Sequence, residues 1–155
     1  MLVQTKHFGE IDLDEDKILT FEQGIFGFEE CKKFTLLYDS DDDVRSNISW
    51  FQCLDNVELA LPVISPSLVM EEYNPIIEDE LLEGLGDITQ ENVVVLLTLT
   101  VPGDLTNMTT NLKAPLIINA DTKKGCQVVA ENSEYVIKYP VYELFSKKPT
   151  KKGDM

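Results

Sequence analysis

Residues 93–120, VVVLLTLTVPGDLTNMTTNLKAPLIINA, decide the fold. Val93 to Val101 is apolar and β-branched, interrupted only by Thr98 and Thr100, which predicts a mostly buried strand. Pro102-Gly103-Asp104 stops it with turn chemistry in three consecutive residues. Pro115 donates no hydrogen bond and disfavours a helical Ala114, so it suits a strand entrance or an edge. Leu116-Ile117-Ile118 reads as a second buried strand closed by Asn119-Ala120-Asp121, and Gly125 to Val129 as a third. Three strands joined by turns predict a meander on which the other segments must pack.

The flanking segments repeat the same signals. Leu2 to Thr5 and Ile11 to Leu13 are β-like, with Phe8-Gly9 as a turn or bulge between them. Strands are predicted at Lys17–Phe21, Phe34–Tyr38, Ile48–Leu54, Glu58–Ile64 and Tyr135–Tyr139, and Pro62 points to an edge or a bulge. Val141 to Phe145 reads as a last short strand or turn. Ser65-Pro66-Ser67 is placed to cap a short helix over Leu68–Tyr73, ended by Asn74-Pro75. Glu78 to Leu85 has leucines at 81, 82 and 85, helical spacing with an acidic opposite face. Thr89 is placed to cap a single turn before Val93. The two glycines of Gln23-Gly24-Ile25-Phe26-Gly27-Phe28 permit positive φ and read as structural, since no lysine-bearing helix follows to make a phosphate loop. Phe8, Phe26 and Trp50 are expected in the core.

The expectation is one all-β domain over residues 1–146 with one or two short helical segments. Residues 147–155 form a lysine-rich tail without periodicity. The chain is large enough to bury a real core.

Charge narrows the partners. Of 155 residues, 28 are acidic and 13 basic, a formal net charge of −15. Phosphate neutralisation needs a Lys/Arg surface, so direct nucleic-acid binding is not expected, and an anionic membrane would repel the chain. A basic protein is the natural electrostatic complement. No apolar run spans a bilayer and the N-terminus has no signal-peptide core, so a cytosolic protein is expected. Cys31, Cys53 and Cys126 lack metal-site or redox spacing and read as free thiols. The acidic run Asp39 to Asp43 lacks the glycine and distal glutamate of a calcium loop, so no metal is expected there. His7 is the sole histidine and no serine or cysteine sits in a nucleophile elbow. A binding protein without a cofactor therefore fits better than an enzyme.

Phe8-Gly9, Gly24-Ile25-Phe26-Gly27-Phe28-Glu29, Trp50-Phe51-Gln52, Pro62-Val63 with Pro66 and Tyr73, Thr110-Asn111-Leu112-Lys113-Ala114-Pro115 with Ile117-Ile118-Asn119, and Gly125-Cys126-Gln127-Val128-Val129 follow in this order. Together they resemble the FliW family of flagellar assembly factors, over roughly residues 1–140. The T-N-L-x-A-P and G-x-Q-V motifs are the most specific part. Phe26 stands where the family commonly has proline, and Cys126 where it commonly has glutamine. The resemblance implies a cytosolic, non-enzymatic regulator with an all-β, barrel-like fold, its sheet antiparallel or mixed, that binds newly made flagellin and the RNA-binding translational repressor CsrA. It implies a partner switch, in which accumulating flagellin displaces CsrA and exported flagellin allows its recapture. A monomer is expected. For the flagellin contact the candidates are Met70, Tyr73 and Asn111; for CsrA they are Asp41, Asp42, Asp43, Glu71 and Glu72. The rival readings are a generic acidic adaptor with no flagellar role and a small hydrolase or sugar-binding β-domain.

Overall fold

The computed structural model describes residues 1–38 and 48–146. The strands are β1 (Leu2–Thr5), β2 (Gly9–Asp12), β3 (Leu19–Thr20), β4 (Lys33–Tyr38), β5 (Ser49–Cys53), β6 (Ala60–Ile64), β7 (Val93–Thr100), β8 (Thr109–Thr110), β9 (Leu116–Asn119), β10 (Lys124–Gln127) and β11 (Tyr139–Pro140). Helix α1 spans Tyr142–Ser146. Pairing runs β7-β6-β5-β4-β3-β10-β9, and β9 pairs back onto β7, so seven strands close a mixed barrel. Three seams are thin. β6 meets β7 only at Val63↔Thr98 and Ile64↔Leu97, β3 meets β4 only at Leu19↔Phe34 and Thr20↔Lys33, and β10 meets β3, in parallel, only at Lys124↔Thr20. At Pro62 β6 therefore has a partner on one side only, β5, the edge environment a proline tolerates. β1 and β2 form a separate hairpin with Gly9 at φ 67°.

The predicted meander is present: β7 pairs with β9 from Val93↔Asn119 to Leu96↔Leu116, and β9 with β10. β7 is apolar from Val93 to Leu97 because both of its faces are covered there. Val94 and Leu96 pack with Leu116 and Ile118 in the barrel interior, around the rings of Phe21, Phe34 and Phe51. Those rings lie 4.3–5.5 Å apart. On the other face Val93 and Val95 pack with Leu85, Ile117 and Val128. Further along that face, Leu97 and Leu99 pack with Met108, Leu112, Tyr135 and Val141.

The two specific motifs have local tasks. Along one edge of β7, β8 pairs at Leu99↔Thr110 and β9 at Leu96↔Leu116. The five residues between Thr110 and Leu116 pass only two of β7, so the chain bulges there. Asn111 closes that bulge, its Oδ1 accepting from the amides of Lys113 (2.9 Å) and Ala114 (3.0 Å). Gln127 then ties three motifs together: its Oε1 accepts from Phe26 N (2.8 Å) and its Nε2 donates to the Ala114 carbonyl (3.0 Å). Gly125 lies against the Phe21 ring, where a Cβ would come within 2.5 Å of it.

Several expectations are corrected. Tyr135–Tyr139 is not a strand; only Tyr139–Pro140 pairs, with Thr109–Thr110. Val136 and Ile137 are exposed, because Tyr135 turns inward to stack on Tyr73. Leu68–Tyr73 is not a helix beyond the single 3₁₀ turn Pro66–Leu68, and Ser65 makes no side-chain cap. Tyr73 is drawn inward to bond the Leu112 carbonyl, which ends the run. The 79–85 segment is helical as expected, but as a 3₁₀ helix. Val141–Phe145 is neither strand nor turn, since α1 occupies it. Phe26 is 51% exposed, because the positive-φ glycines at 24 and 27 fold a tight turn that buries Ile25 and turns Phe26 outward. Phe8 and Trp50 are half-buried, Trp50 being covered by His7 at 4.0 Å. Thr89 does cap its turn, its Oγ1 accepting from Glu91 and Asn92.

Candidate functional site

The segment after β6 carries half of the predicted positions. Its turn at Met70–Tyr73 is held by the Tyr73 amide on the Met70 carbonyl (3.0 Å). Tyr73 stacks on Tyr135 with centroids 4.8 Å apart, and its hydroxyl donates to the Leu112 carbonyl at 2.7 Å. Burial, with the neighbouring Tyr135, pushes the Tyr73 phenol well above its usual value. Met70 is half-buried against the same cluster. Glu71 and Glu72 project into solvent from the turn. Asn111, next to Leu112, is half-buried with its oxygen committed to the bulge. Met70, Tyr73 and Asn111 thus meet around Leu112 at one end of the barrel, with the two glutamates outside. Asp41, Asp42 and Asp43 lie outside the described residues, in the β4–β5 connection.

Two clefts escape inspection of the sequence. One of about 470 Å³ opens between the β1–β2 hairpin and the barrel, with Leu13, Leu36 and Val94 below a rim bearing Asp14 and Asp16. The other, about 320 Å³, lies between the 79–85 segment and β10. Each is lined from segments far apart in the chain, so no local pattern marks it. His7 is exposed at the hairpin; partial burial and the Lys6 charge hold its imidazole below the usual value. Among the described residues no three His, Cys, Asp or Glu side chains converge to hold a metal. No described helix is long and apolar enough to cross a membrane.

The family profile described as FliW protein matches residues 2–141. The chain belongs to the FliW family. It is 66% identical over 151 residues to the flagellar assembly factor FliW of Lachnoclostridium phytofermentans, covering 97% of each chain. It is 53% identical to that of Lachnospira eligens, covering 95% of this chain and 98% of the other. A crystal structure of the flagellar assembly factor FliW superposes with a TM-score of 0.81 at 31% identity, covering 95% and 99% of the two chains. FliW assembly factors are non-enzymatic, so the hydrolase reading falls. The Asn111, Gln127 and Gly125 contacts explain physically why the two motifs mark this FliW fold.

Proposed function

We propose that this FliW-family chain is a cytosolic, monomeric flagellar assembly factor that binds flagellin and CsrA in turn, relieving CsrA repression of flagellin translation when flagellin is exported. The observation that carries this reading is the near full-length match to proteins named flagellar assembly factor. The charge of −15 supports the CsrA half, because an acidic protein on a basic RNA-binding partner attracts that partner and repels RNA phosphates. Asp41, Asp42, Asp43, Glu71 and Glu72 are the proposed CsrA contacts; Met70, Tyr73 and Asn111 shape the proposed flagellin end. The exposed pair Glu71 and Glu72 supports the first assignment, and the apolar surroundings of Tyr73 support the second.

Isothermal titration with CsrA, with flagellin and with both tests the switch. Binding to each, with flagellin displacing CsrA, is the expected result. Binding to neither at low salt, where attraction is strongest, would leave the acidic-adaptor reading in its place. Neutralising Asp41, Asp42 and Asp43 is expected to weaken competition with RNA for CsrA; unchanged antagonism removes those residues from the site.

A further inference from the structure

The strap from Asn74 to Asn92 crosses the outside of the barrel and is pinned at both ends by buried asparagines. At its start, Asn132 accepts from the Ile76 amide (2.7 Å) and donates to the Asn74 carbonyl (3.1 Å). At its end, Asn119 donates to the carbonyls of Leu85 (2.8 Å) and Asp87 (3.0 Å), Thr122 donates to Leu85, and Asn92 donates to Asp87. Leu82 and Leu85 pack beneath it on Ile117 and Val128. Its shape is therefore set before any partner arrives.

What the strap displays is one-signed. Glu78, Asp79, Glu80 and Glu83 are exposed, and no ion pair involves them among the described residues. No lysine, arginine or histidine occurs between Arg45 and Lys113. Among these carboxylates Leu81 is 45% exposed, at the lip of the 320 Å³ groove. Leu85 and Cys126 line the groove with it, Glu22 and Glu80 stand at its rim, and Lys124 lies 3.7 Å from Glu22. The groove admits one or two side chains, not a folded element.

We infer that this groove is an anchor point for the basic partner: it takes an apolar side chain of a short lysine- or arginine-flanked segment, whose cations lie over Glu78, Asp79, Glu80 and Glu83. The inference rests on the CsrA reading above and adds a site outside the Met70–Tyr73 turn. Charge complementarity selects the occupant, because a neutral or acidic segment would leave the rim carboxylates unpaired. The pinned strap reduces the ordering cost of docking. Leu81 supplies contact, which governs dissociation, while the carboxylates supply attraction, which governs encounter.

The test measures association and dissociation on immobilised CsrA for wild type, Leu81→Ser, Glu80→Lys/Glu83→Lys, and a control pair, Glu10→Lys/Glu15→Lys, which makes the same charge change at exposed sites elsewhere. Leu81→Ser is expected to dissociate about five- to tenfold faster with little change in association. The strap pair is expected to weaken binding about tenfold or more, and the control about twofold at most. Thermal melts check that each variant folds. Wild-type dissociation in Leu81→Ser, or equal losses in the strap and control pairs, overturns the anchor and leaves the CsrA reading standing. Loss of flagellin binding with CsrA retained overturns it by giving the groove to flagellin. A wild-type dimer that Leu81→Ser converts to monomer overturns it by giving the groove to a second copy. Absence of CsrA binding by wild type overturns the reading itself, and the anchor with it.

Discussion

At the residue scale, buried thiols and one glycine give the sharpest tests. Cys31 is 3% exposed, and burial first, then its contact with Cys53, push its thiol from about 9 up to about 12. Burial also pushes Cys126 up to about 11. Between about pH 9 and 12 the unfolded chain has released the Cys31 proton that the native state keeps, so the native state binds more protons and stability falls as pH rises through that window. Urea midpoints should drop from pH 8 to pH 10, and Cys31→Ala should flatten the slope; an identical slope in the variant removes Cys31 as a cause. Gly125→Ala should destabilise by about 2 kcal/mol through overpacking against Phe21, a drop of roughly 6 °C in Tm by scanning calorimetry.

At the element scale, the strap shows how a segment poor in backbone pairing is kept in place. Asn119 is fully buried, accepts from the amides of Asp121 (2.8 Å) and Thr122 (3.2 Å), and donates to two strap carbonyls. Asn119→Ala leaves the Asp121 and Thr122 amides without this acceptor, while the Leu85 and Asp87 carbonyls keep Thr122 and Asn92 as donors. Each unsatisfied buried group costs roughly 1–3 kcal/mol, so a loss of about 3 kcal/mol is expected. Amide exchange should accelerate first around residues 85–93; uniform acceleration across the barrel would mean the strap is no separate unit. Element types were legible where side-chain periodicity carried them: β4, β5, β6, β7 and β9 all fall where alternation or a β-branched run placed them. The 135–139 alternation misled because Tyr135 is fixed by Tyr73, 62 positions away, rather than by a neighbouring strand. The exposure of Phe26 was equally illegible, since aromatic character says nothing of which side a two-glycine turn presents.

At the scale of the whole molecule, the family profile ends at residue 141 and α1 at Ser146. We expect a chain truncated after Ser146 to fold with an unchanged Tm, within about 1 °C, because the family match lies wholly before that point. A large drop would extend the domain into the tail. The sequence by itself determined the all-β class, the meander, the acidic balance and, through two short motifs, the family. These depend on side-chain periodicity, charge and backbone-restricting residues, all of which are local or additive. Only the tertiary structure decided which seven strands close the barrel and in what order, and that Gln127 joins three motifs. It alone showed that three buried asparagines hold an acidic strap beside a groove. Those features arise from contacts between residues distant in the chain, where burial and hydrogen-bond satisfaction, rather than local preference, select the arrangement.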